Sequence, residues 1–291
     1  MASERIAVTG ATGGLGGRVA RLLAERGVPQ RLLVREVSRA PDLPGARVMQ
    51  FGGYDDADGL RRALDGVGTL FLVSAAEDPD RVRLHTTAVD AAVEAGVERI
   101  VYTSFVGAAL DATFTFARDH FHTERHIESR GVGHTFLRHN LYIDFIPVLC
   151  PADGVIRGPA DDGRVAAVAR DDIAAVAATV LTGPGHEGRT YDVTGIEAFT
   201  LTEAAAWLSR VTRRQITFHD ETRDEAWESR RPSEAPDYMI EGWVTTYAAI
   251  AAGDLEATTE TVEELTGREP QRLGDWLRAN PDSWRHLLHT S

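Results

Sequence analysis

Between an apolar run and an amphipathic one, residues Thr9–Gly16 read TGATGGLG, and few folds can use such a stretch. Residues 5–10 (RIAVTG) predict a short strand ending on glycine, and residues 16–28 predict a helix with Val19, Leu22 and Leu23 on one face. Glycines 10, 13 and 16 therefore fall where a strand feeds a helix. One permits the tight turn, the next lets backbone amides approach a pyrophosphate, and the third lets the helix pack on the strand. The anion would sit at the helix N-terminus, where free N–H groups and the helix dipole attract it. A glycine-rich turn with no ligand is the competing reading, and placement inside a first βαβ unit favours a dinucleotide.

The rhythm continues along the first half. Apolar runs at 31–35, 46–51, 69–74, 98–104 and 134–139 predict strands, with helices over 81–97 and 117–130. Strands apolar along their whole length and separated by helices indicate a parallel sheet covered on both faces. Beyond Pro151 the pattern predicts a strand and helix over 164–183, a strand over 189–195 and a helix over 201–212. From Asp224 the chain is helical and broken by prolines 232, 236, 270 and 281. The expected class is α/β: a Rossmann-like doubly wound parallel sheet with a smaller, mostly helical C-terminal lobe. Residues 1–150 are expected to form the dinucleotide-binding domain. Residues 151–291 are expected to form the smaller substrate lobe, returning elements to the sheet.

Composition removes several classes of function. The formal charge is −13 and no basic run interrupts it, so nucleic acid is not an expected partner. No apolar run reaches the roughly 18–20 residues of a membrane span, and MASERIAVTG carries no signal-peptide pattern. Cys150 is the single cysteine, which leaves no intrachain disulfide or thiolate cluster and makes the cytoplasm the expected location. All 31 basic residues are arginine. The chain therefore has no lysine side chain to act as a base or a phosphate anchor. The sequence leaves a homodimer open.

The end of the second strand discriminates between cofactors. An acid there binds both ribose hydroxyls of NAD, whereas an arginine accepts the 2′-phosphate of NADP. Here the strand ends Val34–Arg35 with Arg39 close behind, and Glu36 comes one residue late. The pattern favours NADP(H) over NAD(H).

Taken together, VTGATGGLG (8–16), LLVR (32–35), AAVEAGVERIVYTS (91–104), HTERHIESRGVGHTFLRHNLY (122–142), GRVAAVARDDIAAVAA (163–178) and GRTYDVTG (188–195) carry a family signature. The chain resembles the NmrA-like, atypical short-chain dehydrogenase/reductases, particularly their NADPH-dependent quinone oxidoreductase branch. The resemblance implies that Gly10, Thr12, Gly13, Gly14, Leu15 and Gly16 contact the cofactor diphosphate and that Arg35 meets the adenosine phosphate. It implies that Ser74 and Ala75 lie along the nicotinamide ribose and that Ser104 and Phe105 flank the nicotinamide. Asn140 and Tyr142 would face the substrate. Gly52 and Gly53 stand where the family often has an acid contacting adenine, a place that Asp55 could fill only from a longer loop.

The segment 119–126, DHFHTERH, holds three histidines. Typical short-chain reductases carry Tyr-x-x-x-Lys on this helix; aligned to it, the chain has His120 and Glu124. His122 and His126 are spaced i,i+4, yet Glu124 sits between them and not directly after the first, unlike H-E-x-x-H, so no metal site is expected. The plain reading puts Glu124 and Arg125 in water. His120, nearest the nicotinamide on that alignment, is a candidate proton donor or substrate contact, with a structural polar contact as the competitor.

Hydride transfer to an isolated ketone generates an alkoxide that needs a positioned acid. Transfer to a quinone gives a delocalised phenolate whose conjugate acid has a pKa of about 10, so little acid assistance is needed. The expected function is therefore an NAD(P)H-dependent oxidoreductase acting on a quinone-like or other conjugated small molecule, with Phe105, His120, Asn140 and Tyr142 on the acceptor side. His120 and Tyr142 are the candidate catalytic residues. The rivals are a non-enzymatic NADP(H)-sensing regulator of the NmrA type and a reductase of specialised metabolites.

Overall fold

The computed structural model describes residues Arg5–Leu288. Its order opens with β1 (Ile6–Val8), α1 (Gly16–Glu25), β2 (Gln30–Val34), β3 (Ala46–Gln50), α2 (Ala57–Leu64), β4 (Thr69–Leu72), α3 (Arg81–Glu94) and β5 (Arg99–Phe105). Next come α4 (Thr115–Ser129), β6 (Gly133–His139), β7 (Val155–Gly158), β8 (Arg164–Val165), α5 (Arg170–Thr182) and β9 (Arg189–Val193). The remainder is β10 (Phe199–Thr200), α6 (Leu201–Thr212), β11 (Thr217–Asp220), α7 (Arg223–Arg230), α8 (Asp237–Ala251), α9 (Thr261–Thr266) and α10 (Leu273–Ala279).

The main sheet has seven strands in the order β3-β2-β1-β4-β5-β6-β9, every pair parallel. The central strands are apolar on both faces because helices cover both. Val8, Leu32, Phe71, Val101 and Leu137 pack under α1 and α5, while Ala7, Leu33, Leu70, Leu72 and Tyr102 pack under α2 and α3. This is the expected Rossmann-like doubly wound sheet. Strand order reverses between β1 and β4, and the crevice at their C-terminal ends is where such sheets bind ligands.

The rhythm change near residue 150 does not end the sheet. β9 pairs with β6 from Thr135↔Arg189 to His139↔Val193, and α5 lies beside α1. The rest of the second half builds a smaller layer on two short sheets, β7 with β11 and β10 with β8. Its apolar core runs from Phe105 and Ala117 through Ile156 and Tyr247 to Trp276 and Leu277. Helix α8 presses closely on α4: a Cβ on Gly242 would sit 2.2 Å from the Phe116 ring. The helical tail thus roofs the end of the sheet where β5 and β6 finish. Among the described residues no helix is long and apolar enough to cross a membrane.

Candidate functional site

The β1–α1 turn is shaped so that several backbone amides point at nothing. Gly10 adopts φ +62°, a region that favours glycine. The amides of Thr12, Gly14, Leu15 and Gly16 make no hydrogen bond among the described residues. Leu15, at the helix N-cap position, offers no side-chain cap, and the first turn of α1 holds no acid. These N–H groups therefore keep their attraction for an anion. Gly16 lets α1 start against the strand: a Cβ there would lie 2.4 Å from the Gly10 carbonyl oxygen and 2.6 Å from that of Thr9. Gly10, Thr12, Gly13, Gly14, Leu15 and Gly16 thus form one cradle whose geometry and donors suit a dinucleotide diphosphate.

Arg35, just past β2, is exposed and forms no ion pair among the described residues; its carbonyl accepts from the Gln50 side-chain amide at 3.1 Å. Arg39 is likewise exposed, without a carboxylate partner among the described residues. Two uncommitted guanidiniums at this strand end fit a 2′-phosphate. Replacing Arg35 and Arg39 together with alanine should weaken NADPH binding by ~10–100-fold and NADH binding by under ~3-fold, since a hydrogen bond to a charged group contributes about 1.5–3 kcal/mol. Equal losses for the two cofactors, measured by fluorescence titration, would remove the 2′-phosphate assignment.

The third loop is occupied differently from the adenine acid considered above. Asp56, the residue after Asp55, caps α2, accepting from the Gly59 amide at 2.9 Å and from the Gly52 amide at 2.7 Å. Asp55 is exposed. Tyr54 reaches back across the switch point, its Oη 2.5 Å from the Val73 carbonyl oxygen and 2.8 Å from Thr9 Oγ1. Burial pushes that phenol upward, so it stays protonated.

Beyond β4, Ser74 and Ala75 are held by their backbones. The Ser74 amide donates to Thr103 Oγ1 at 2.7 Å and the Ala75 amide to His85 Nε2 at 2.8 Å. Arg81 donates from Nε to the Ala75 carbonyl at 3.0 Å and from Nη2 to His120 Nε2 at 3.1 Å. Because both donors leave no choice, the two histidines carry their proton on Nδ1. His85 Nδ1–H then donates to Thr123 Oγ1 at 2.9 Å, and His120 Nδ1–H donates to Tyr102 Oη at 2.9 Å. Burial, followed by the Arg81 charge, holds His120 well below its ordinary pKa and His85 down at about 3. Both rings are neutral at physiological pH.

His120 is buried, and both its ring nitrogens have protein partners. Phe105 stacks on it, ring centroids 6.3 Å apart at 25°, and meets His139 edge-on at 5.8 Å. His139 in turn stacks on Tyr142 at 4.7 Å. The Nδ1–H of His139 donates to the Asn140 carbonyl, so Tyr142 Oη donates to Nε2 at 3.0 Å. Burial lowers His139 to about 4 and pushes the Tyr142 phenol up to about 12. Phe105, His120 and Tyr142 are thus brought together in one aromatic row, with His139 as a member the sequence reading did not include.

Asn140 lies outside that row. Its side chain is buried, donating from Nδ2 to the Leu255 carbonyl at 2.9 Å and accepting the Leu141 amide on Oδ1 at 2.7 Å, which ties the end of β6 to the loop after α8. The hydroxyl of Ser104 also points inward, donating to Glu124 Oε1 at 2.6 Å. The placement of Glu124 in water is corrected here. The residue is 3% exposed and forms a two-bonded ion pair with Arg138, at 2.8 and 2.5 Å. His122 is exposed and His126 pairs with Asp90 at 2.8 Å. No cluster of three or more His, Cys, Asp or Glu side chains placed to hold a metal ion occurs among the described residues.

Comparison with known proteins finds relatives over nearly the whole chain. The chain is 36% identical to the (4-alkanoyl-5-oxo-2,5-dihydrofuran-3-yl)methyl phosphate reductase of Streptomyces griseus, over 96% of this chain and 99% of that one. It is 32% identical to quinone oxidoreductase 2 of Escherichia coli K12, over 93% and 96%. The crystal structure of the NADPH-dependent quinone oxidoreductase from E. coli complexed with NADPH superposes with TM-score 0.86 at 31% identity, covering 94% of this chain and 99% of that one. The NADP(H) complex of Citrobacter triphenylmethane reductase superposes with TM-score 0.83 at 30% identity, over 97% and 100%. The pattern of the NmrA-like family matches residues 2–264. With the open glycine cradle at the switch point, a match of that length places the chain in the NmrA-like family.

Proposed function

We propose that this protein is an NADPH-dependent oxidoreductase that reduces a quinone-like or other conjugated small molecule, working without a Tyr/Lys pair. The observation that carries the reading is the cradle of amides at Thr12, Gly14, Leu15 and Gly16, unpaired among the described residues, with the exposed guanidiniums of Arg35 and Arg39 at the neighbouring strand end. Bound NADPH supplies the hydride. The chain's own contribution is to grip the diphosphate, hold the loop at Ser74–Ala75 through His85 and Arg81, and present an aromatic wall at Phe105.

The acid–base character of the wall suits such an acceptor. The Tyr142 proton is directed into His139 and its phenol lies near 12, while His120 is kept neutral between Arg81 and Tyr102. A reduced quinone leaves as a phenolate whose conjugate acid has a pKa of about 10. Such a product takes its proton from water, and the wall need only exclude competing geometries and hold a flat ring close. We assign His120 and Tyr142 this positioning role at the acceptor, with Phe105 as the stacking surface. The reductase relatives are 32% and 36% identical along nearly their full length, which supports the enzyme over the cofactor sensor. A single buried free thiol, Cys150, agrees with a cytoplasmic setting.

Steady-state NADPH oxidation against a panel of quinones tests the reading. Turnover with kcat/KM on the order of 10⁴ M⁻¹ s⁻¹ or more for one of them is expected. Tight NADPH binding with oxidation no faster than in buffer, across quinones and other conjugated acceptors, would instead identify a sensor.

A further inference from the structure

We propose that Arg170, the first residue of α5, is a diphosphate ligand supplied from outside the glycine turn. The inference rests on the NADPH reading above and deepens it. Arg170 lies across the cradle: a Cβ on Gly14 would sit 3.4 Å from its Cδ and Nε and 3.7 Å from its Cζ. Its guanidinium is held flat over two rings, with Cζ 4.3 Å from the centroid of Tyr142 and 4.8 Å from that of Phe145. Its one ionic partner among the described residues is Asp144, and that contact from Nη1 is long, 3.3 Å.

Asp144 is shared. It also accepts the Arg170 backbone amide at 3.1 Å and faces Arg18 at 3.7 Å. Arg18 is in turn spent on Asp171 at 2.6 Å and on the Gly14 carbonyl at 2.6 Å. The Nε–H and Nη2 groups of Arg170 donate to nothing among the described residues, although its side chain is only 22% exposed. Three-quarters buried, unused donors therefore lie beside unpaired amides on the same turn. An arginine fork suits a bridging pair of phosphate oxygens, and aromatic stacking holds the fork in one plane at low entropic cost. The chain has no lysine side chain to compete for this task.

The test separates the diphosphate from the rest of the cofactor. Wild type and Arg170→Gln are titrated by calorimetry with NADPH, 2′-phospho-ADP-ribose and adenosine 2′,5′-bisphosphate, which lacks the second phosphate of the bridge. The Kd of the first two should rise by ~10–100-fold, and that of the third by under ~3-fold. Arg170→Lys should recover only part of the loss, because a point charge replaces a fork, and it serves as the reporter should the glutamine variant not fold. An unchanged Kd for NADPH with a raised KM for quinone would overturn the proposal and move Arg170 to the acceptor. Equal losses for all three ligands would overturn it too, making Arg170 a support for the pocket as a whole. Absence of NADPH binding by the wild type would instead strike the functional reading itself.

Discussion

Replacing Gly16 with alanine is expected to abolish NADPH binding at concentrations that saturate the wild type and to lower the melting temperature by roughly 5–10 °C. The added Cβ would lie 2.4 Å from the Gly10 carbonyl oxygen and 2.6 Å from its carbon and from the Thr9 oxygen. All three are backbone atoms at the end of β1, so no side chain can swing aside. Either α1 lifts off the sheet or the turn changes shape, at a cost of about 3 kcal/mol, worth a few degrees per kcal/mol in a chain of this size. Both outcomes also misplace the amides of Thr12, Gly14 and Leu15. Gly14→Ala is the natural control for stability, since the nearest atoms to its Cβ would be those of the flexible Arg170 side chain, at 3.4 Å, and a change under about 1 kcal/mol is expected. A Gly16→Ala protein that melts and binds cofactor like the wild type would show that the cradle does not depend on this close approach.

Acidification is the second large effect. His85, His120 and His139 are buried and neutral, with folded pKa values lowered by burial to about 3 for His85, well below the ordinary value for His120, and about 4 for His139. In the unfolded chain each takes a proton near pH 6.5. Below that pH the unfolded state therefore binds more protons than the folded one, and stability falls as pH falls, by about 1.4 kcal/mol per pH unit for each histidine. The contribution is intact above pH 6.5 and is lost progressively as pH falls, down to about 4 for His139 and about 3 for His85. Burial raises the carboxyls of Asp119 and Asp192, which opposes the trend at the lower end of the window. Three histidines together reach about 4 kcal/mol per unit, so two units rival the whole stability of an ordinary domain. Unfolding free energies measured between pH 7 and 5 should show an uptake approaching three protons on unfolding. Uptake of one proton or fewer near pH 5.5 would mean that these rings are charged, or solvated, in the fold.

The sheet and its cradle were legible because both depend on local pattern. Apolar strands covered on two faces and glycines at 10, 13 and 16 need no distant partner to be recognised. The floor of the site was not, because its side chains pair across long separations. Arg81 and His120 meet from α3 and α4, and Glu124 finds Arg138 on β6. One signal was present in outline. Phe116, Ala117, His120, Thr123, Glu124 and Ile127 lie on a single buried stripe of α4, a helical spacing that the reading of Glu124 as solvated passed over. A carboxylate on such a stripe asks for a buried cation, and β6 supplies it. Arg170 was visible in the sequence only as part of VARDDIAA; its closeness to Gly14 arises because β9 and α5 return to the first half.

That return also bears on synthesis. Until residues 189–193 have left the ribosome, β6 has one bare edge of unpaired amides and carbonyls. Nascent domains commonly fold as they emerge, yet this sheet stays incomplete until nearly two-thirds of the chain is out. A gene cut at the end of the glycine-bearing half would encode a sheet that stops at β6, with the edge that β9 covers left bare.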